Sequence, residues 1–144
     1  RNERFGGRVD AGAVAAAALY HDASEILTGD MPTPIKYDNP AIRKAYKDVE
    51  AVAEEKLLHM LPQEFRPVYA LILHPDAETE QLVKAADKLS AYIKCVEELK
   101  AGNNEFREAA AQTRTALEDY GLPEAAYFLE TFLPSFSLTL DELK

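Results

Sequence analysis

"TEQLVKAADKLSAYIKCVEELK", residues 79–100, is the stretch whose reading decides the fold class. Leu82, Ala86, Leu89, Ile93, Val96 and Leu99 recur three or four positions apart, the repeat of one face of an α-helix, and Gly102 follows as a C-terminal stop. Such a stripe needs a core to pack on, and the rest of the chain offers more helices. Asp10 is an N-cap for "AGAVAAAALYHDASEIL", whose alanines have the best helix propensity, so a helix is expected over residues 10–27. "TGDMPTP", with Gly29, Pro32 and Pro34, cannot continue it and reads as an ordered turn.

Asn39 then caps a second long helix that opens on Pro40, and Ile42, Tyr46, Val49, Val52, Ala53 and Leu57 supply its apolar face. "PQEFRPVYALIL" supports a shorter helix, residues 104–120 and 123–133 give two more, and Thr139 caps a last short one in "SFSLTLDELK". No segment alternates as a strand would. The opening "RNERFGGRVD" reads as a linker. The expected class is all-α.

A chain of 144 residues, 47% hydrophobic and 28% charged, has the composition of one globular domain. Its 25 acidic against 16 basic residues give a net charge of −9, which repels a phosphate backbone and argues against nucleic-acid polymers. A small anion is not rejected by the same field, because a bound cation reverses its sign inside one pocket. Cys95, the single cysteine, sits among apolar neighbours and reads as a small buried hydrophobe. No apolar run is long enough to span a membrane and no leader-like segment is visible, so a cytoplasmic protein is expected, with no membrane partner.

The polar residues in "LYHDASEILTGDMPTP" stand out against their apolar surroundings. His21 and Asp22 diverge by ~100° on a helix yet can both bend toward one ion, and Glu25 lies one turn along. Alone, the pair reads first as a hydrogen-bonded core histidine beside exposed carboxylates. Asp87 projects to the edge of the stripe on the helix at residues 79–100, between Val83 and Ser90. A carboxylate buried there needs Lys84, Lys88 or Lys94 as an ion-pair partner, or a divalent metal shared with His21 and Asp22; spacing leaves both open. His59 and His74 read as surface or capping residues.

"YHDASEILTGDMPTPIKY" together with "VKAADKLSAYIKCVEELKAGNNEF" resembles the bacterial HD-domain 5′-deoxynucleotidases, metal-dependent phosphohydrolases acting on deoxyribonucleoside 5′-monophosphates. The likeness runs from "FGGRVDAGAVAAAALYHD" through "YFLETFLPSFSLTLDEL". It implies an HD-domain helical bundle, with residues 1–144 as a single HD domain lacking its first helices. His21, Asp22 and Asp87 match metal ligands of that family, whose further histidine would stand on a helix before Arg1. The implied cofactor is one divalent transition metal ion, and mixed imidazole and carboxylate ligands suit Co, Mn, Zn, Fe, Ni or Cu.

The resemblance also implies a mechanism in which the metal polarises the 5′-phosphate and lowers the pKa of water. Glu25 matches a catalytic acidic residue near that water, and Asp30 matches the acceptor of the deoxyribose 3′-hydroxyl. Thr33 and Lys36 share the loop and are expected at the border of the substrate pocket. Rejection of a 2′-hydroxyl is expected to be steric, through a residue upstream. Relatives imply a homodimer. Two other functions fit the same residues: a non-catalytic helical interaction module, and an HD hydrolase of another nucleotide phosphoester.

Overall fold

The computed structural model describes residues 1–32, 35 and 39–142, and every regular element among the described residues is helical. In chain order these are α1 (Asn2–Phe5), α2 (Ala11–Tyr20), α3 (Glu25–Thr28), α4 (Pro40–Met60), α5 (Arg66–Leu73), α6 (Ala77–Lys100), α7 (Arg107–Glu118) and α8 (Pro123–Thr131). Short 3-10 turns occupy Asn104–Phe106 and Leu133–Ser137. The all-α class expected of an HD domain is thus observed. The chain divides into two compact units, residues 15–77 and residues 1–14 with 78–144.

In the second of these units, Leu117 is 1% exposed and anchors a core with Ala85, Tyr92, Cys95, Ala110, Leu122, Ala125, Leu129 and Leu133. Cys95 is a buried free thiol, as its apolar flanks suggest. The seam of α6 is rotated from the one read in the sequence: Ala85, Tyr92 and Cys95 are buried, whereas Leu82, Leu89, Ile93 and Val96 pack at its margin. Ala86 is exposed. Tyr92 and Cys95 define a line that the aliphatic count alone passes over.

Gly102 ends α6 as expected. Its φ is +87°, its N–H donates to Leu99 O at 3.0 Å, and Asn103 N donates to Glu98 O at 2.9 Å. This pair of bonds satisfies two of the last helical carbonyls, and the left-handed residue that makes it possible is a glycine.

The opening segment is ordered rather than a linker. Phe5 meets Tyr127 edge-on at 6.1 Å between ring centroids, and the Arg4 guanidinium lies 4.2 Å above the same ring. Arg1 pairs with Glu78 at 3.0 Å and with Glu124 at 2.9 Å. Local glycine content predicted a flexible connection; contacts with distant residues override it. At the other end, the Thr139 N–H and hydroxyl both donate to the Glu142 carboxylate at 2.8 and 2.9 Å, so Glu142 reaches back to Thr139 where the predicted cap would have the Thr139 oxygen accepting. Residues 140–142 form a turn, and the remainder of the expected helix lies outside the described residues.

In the unit of residues 15–77, α4 starts as the sequence predicts. Asn39 Oδ1 accepts from Ile42 N at 2.8 Å, and Pro40 takes the first helical position, where no intrahelical donor is needed. Asn39→Ala should therefore cost about 1 kcal/mol, read as a lower urea midpoint with unchanged slope. A midpoint identical to the parent's would mean that the cap contributes nothing.

The helix expected over residues 10–27 is shorter. Asp10 does cap it, accepting from Gly12 N at 2.8 Å and Ala13 N at 3.1 Å, but α2 stops at Tyr20. His21 Nδ1 lies 2.7 Å from Ala18 O, the carbonyl that the Asp22 amide would otherwise use. The backbone tightens instead into three-residue turns, with Ala23 N on Tyr20 O at 3.0 Å and Glu25 N on Asp22 O at 2.9 Å. A polar side chain competing for a helical carbonyl is the physical reason for the break. Leu19 is 82% and Ile26 79% exposed, so this stretch is not the core face that its composition suggested.

Candidate active site

The break after Tyr20 creates the site. Four residues of turn, 21–24, separate α2 from α3, and they carry the His-Asp pair. His21 Nε2 stands 3.1 Å from Asp22 Oδ2. The Ala18 carbonyl can only accept, so Nδ1 carries a proton and Nε2 of the neutral ring presents a lone pair toward the carboxylate. Two electron-rich atoms at that distance need a proton or a cation between them. A histidine whose far nitrogen is tied to a backbone carbonyl is the usual arrangement of a metal-ligating imidazole.

The chemistry of the donors therefore fits a divalent cation at His21 and Asp22. Among the described residues no group of three or more His, Cys, Asp or Glu side chains is gathered as a complete metal cage. The fit is carried by this pair. Both side chains are accessible, at 35% and 59% exposure.

Glu25 opens α3, half-buried, and its N–H donates to Asp22 O, so one tight turn connects it to the pair. Ser24, between them, is buried. Asp30 follows Gly29 and is exposed, as an acceptor for a ligand must be. Thr33 and Lys36 lie outside the described residues.

Asp87 belongs to α6, in the other compact unit. It is exposed, contrary to the buried position expected from the stripe. Its i−4 neighbour Val83 is buried, so Asp87 lies at the margin of the packed face with its carboxylate on the solvent side. Burial thus imposes no demand for a partner on Asp87. Of the lysines considered for it, Lys84 pairs with Glu80, and Lys94 pairs with Glu98. The hydrogen bonds from Lys94 and then Asn103 hold the Glu98 carboxyl below its ordinary range.

The other two histidines behave as surface and capping residues. His59 is exposed, with Nδ1 2.7 Å from Glu55 O. His74 ends α5 and stands 3.6 Å from Glu54 Oε2. Burial pushes the Glu54 carboxyl above its ordinary value, and His74 opposes that rise.

Sequence reasoning did not single out the group that supports Asp30. Tyr46, read only as part of an apolar face, donates its hydroxyl to Gly29 O at 2.7 Å. The signal available was a tyrosine, not a phenylalanine, at a core position: a buried hydroxyl needs an acceptor.

The family described as 5′-deoxynucleotidase YfbR-like matches residues 1–136. A protein named as a 5′-deoxynucleotidase in Vibrio vulnificus is 52% identical over 99% of this chain and 75% of its own length. One so named in Vibrio parahaemolyticus is 51% identical with the same coverage. The 5′-deoxynucleotidase YfbR of Escherichia coli is 49% identical over 99% of this chain and 73% of its own. With a match along nearly its whole length and about half of its residues shared, the chain belongs to the YfbR-like 5′-deoxynucleotidase family.

Proposed function

We propose that the chain is a metal-dependent phosphohydrolase that releases phosphate from deoxyribonucleoside 5′-monophosphates. The observation that carries this reading is the pair His21 Nε2 and Asp22 Oδ2, 3.1 Å apart, in a member of the YfbR-like family. His21 and Asp22 would hold the cation, with Asp87 as a further carboxylate donor by family likeness. The chemistry that a divalent cation supplies there, when bound, is Lewis-acid polarisation of the phosphoryl oxygens and acidification of water.

The chain's own residues do the rest. The Ala18 carbonyl fixes the His21 tautomer, so that Nε2 is the donor atom. Glu25 takes the proton of the attacking water as its oxygen bonds to phosphorus, and as the P–O5′ bond breaks that proton passes to O5′, releasing the deoxynucleoside as its 5′-alcohol. Asp30 accepts from the 3′-hydroxyl and orients the sugar. Family likeness supports a single HD domain acting as a cytoplasmic homodimer. Among the described residues no helix is long and apolar enough to cross a membrane.

Phosphate release from a panel of deoxyribonucleoside and ribonucleoside monophosphates and deoxyribonucleoside triphosphates, with added divalent cations, tests the reading. Release from the deoxyribonucleoside monophosphates is expected. Release chiefly from the triphosphates would make the chain a hydrolase of another phosphoester. No release with any cation would leave a helical interaction module.

A further inference from the structure

The peptide that leads into Asp30 is held at the Gly29 carbonyl. Gly29 O accepts the Tyr46 hydroxyl at 2.7 Å and the Thr28 hydroxyl at 2.9 Å, the single Thr28 proton being shared with Ser24 O at 3.3 Å. Gly29 N donates in turn to Glu25 O at 2.9 Å. With φ +70° and ψ 161°, Gly29 occupies backbone space essentially reserved for glycine. Its carbonyl and the Asp30 N–H belong to one rigid peptide plane. Fixing the oxygen therefore fixes where the Asp30 Cα, and with it the carboxylate, departs from the loop.

Tyr46 is well placed for this task. It stands in the second turn of α4, a helix of 21 residues, and is only 7% exposed, so its ring cannot swing away. The bond joins residues 17 positions apart. α4 thus acts as a fixed post for the Gly29–Asp30 peptide.

We propose that Tyr46, seconded by Thr28, is a positioning residue for substrate recognition: its hydroxyl orients the Gly29–Asp30 peptide so that Asp30 meets the sugar 3′-hydroxyl. The inference rests on the reading of Asp30 as the 3′-hydroxyl acceptor. A tyrosine that merely fills the core would leave discrimination at the 3′ position untouched. A positioning tyrosine would not.

The test measures kcat and KM of the parent, Tyr46→Phe and Asp30→Asn on a deoxyribonucleoside 5′-monophosphate and on its 2′,3′-dideoxy counterpart. The parent should favour the 3′-hydroxylated substrate. Asp30→Asn should erase most of that preference. Tyr46→Phe should raise KM for the deoxy substrate by about 2- to 10-fold, the worth of one hydrogen bond, with kcat and the dideoxy KM nearly unchanged. Thr28→Val, which removes the second hydroxyl while keeping the shape, should produce the same selective loss and stands in should Tyr46→Phe fold poorly.

Equal losses on both substrates in the tyrosine and threonine variants would overturn the proposal and make the contact purely structural. A preference erased in Asp30→Asn but intact in both hydroxyl variants would overturn it while leaving the Asp30 reading standing. A preference unchanged in Asp30→Asn would remove that reading, and the proposal with it.

Discussion

His21→Ala is expected to abolish cation binding and turnover while leaving the fold in place. Removing only an orienting partner of a metal ligand costs about 10- to 100-fold in affinity, so deleting the ligand itself should exceed ~100-fold. The reason lies in the tautomer: Nδ1 is committed to Ala18 O, which leaves Nε2 as the imidazole's only donor atom, facing Asp22 Oδ2 at 3.1 Å. Asp22 alone cannot replace it. The side chain is about one-third exposed and fills no core cavity, so the thermal midpoint should move little. Metal titration followed by calorimetry, with phosphate release measured in parallel, provides the check. Cation affinity equal to the parent's would refute the ligand role.

Glu25→Gln should lower kcat by about 10²- to 10⁴-fold, the usual worth of a positioned proton acceptor, while cation affinity stays close to the parent's. The amide keeps the shape and the half-buried packing of the glutamate but cannot take a proton from water. Glu25 is held near the pair by its N–H bond to Asp22 O at 2.9 Å, a backbone restraint that the substitution leaves alone. Loss of the cation with the rate would reassign Glu25 as a ligand. A full rate would remove it from proton transfer.

The two variants separate binding from chemistry. His21→Ala empties the site, and Glu25→Gln leaves it loaded but slow. The Asp30 and Tyr46 variants act at a third point, the sugar, where KM rather than kcat responds.

Much of the architecture was legible because helix signals act within a few residues. Asn39 and Asp10 as caps, Pro40 at the first helical position and Gly102 as the stop all behave as their chemistry dictates. The readings that failed are those in which a side chain or a distant partner overrides the local pattern. The helix expected to reach residue 27 ends at Tyr20, because the His21 ring occupies a carbonyl needed for the next helical bond. The segment read as a linker is ordered by Tyr127, Glu78 and Glu124, none of them near it in the chain. Asp87 looked buried because it stands one turn from Val83; Val83 is buried, but Asp87 sits at the edge of that face and reaches solvent.

For the candidate site the division is similar. The His-Asp dipeptide, Glu25 and Asp30 are visible as a motif, since their spacing alone sets them on one short stretch. Their working geometry is not visible there. Periodicity offered helix neighbours one turn apart, and the structure supplies a tight turn with one imidazole nitrogen already committed.

By itself, then, the amino-acid order determined the helical class and the caps and stop at Asp10, Asn39, Pro40 and Gly102. Those properties arise from propensity, capping and side-chain type within three or four positions. Only the tertiary structure decided which face of α6 is buried, that the first five residues pack against α8, and that Tyr46 holds the carbonyl before Asp30. Each of these joins residues from 17 to more than 100 positions apart, and no local rule selects such a partner until the chain has closed on itself.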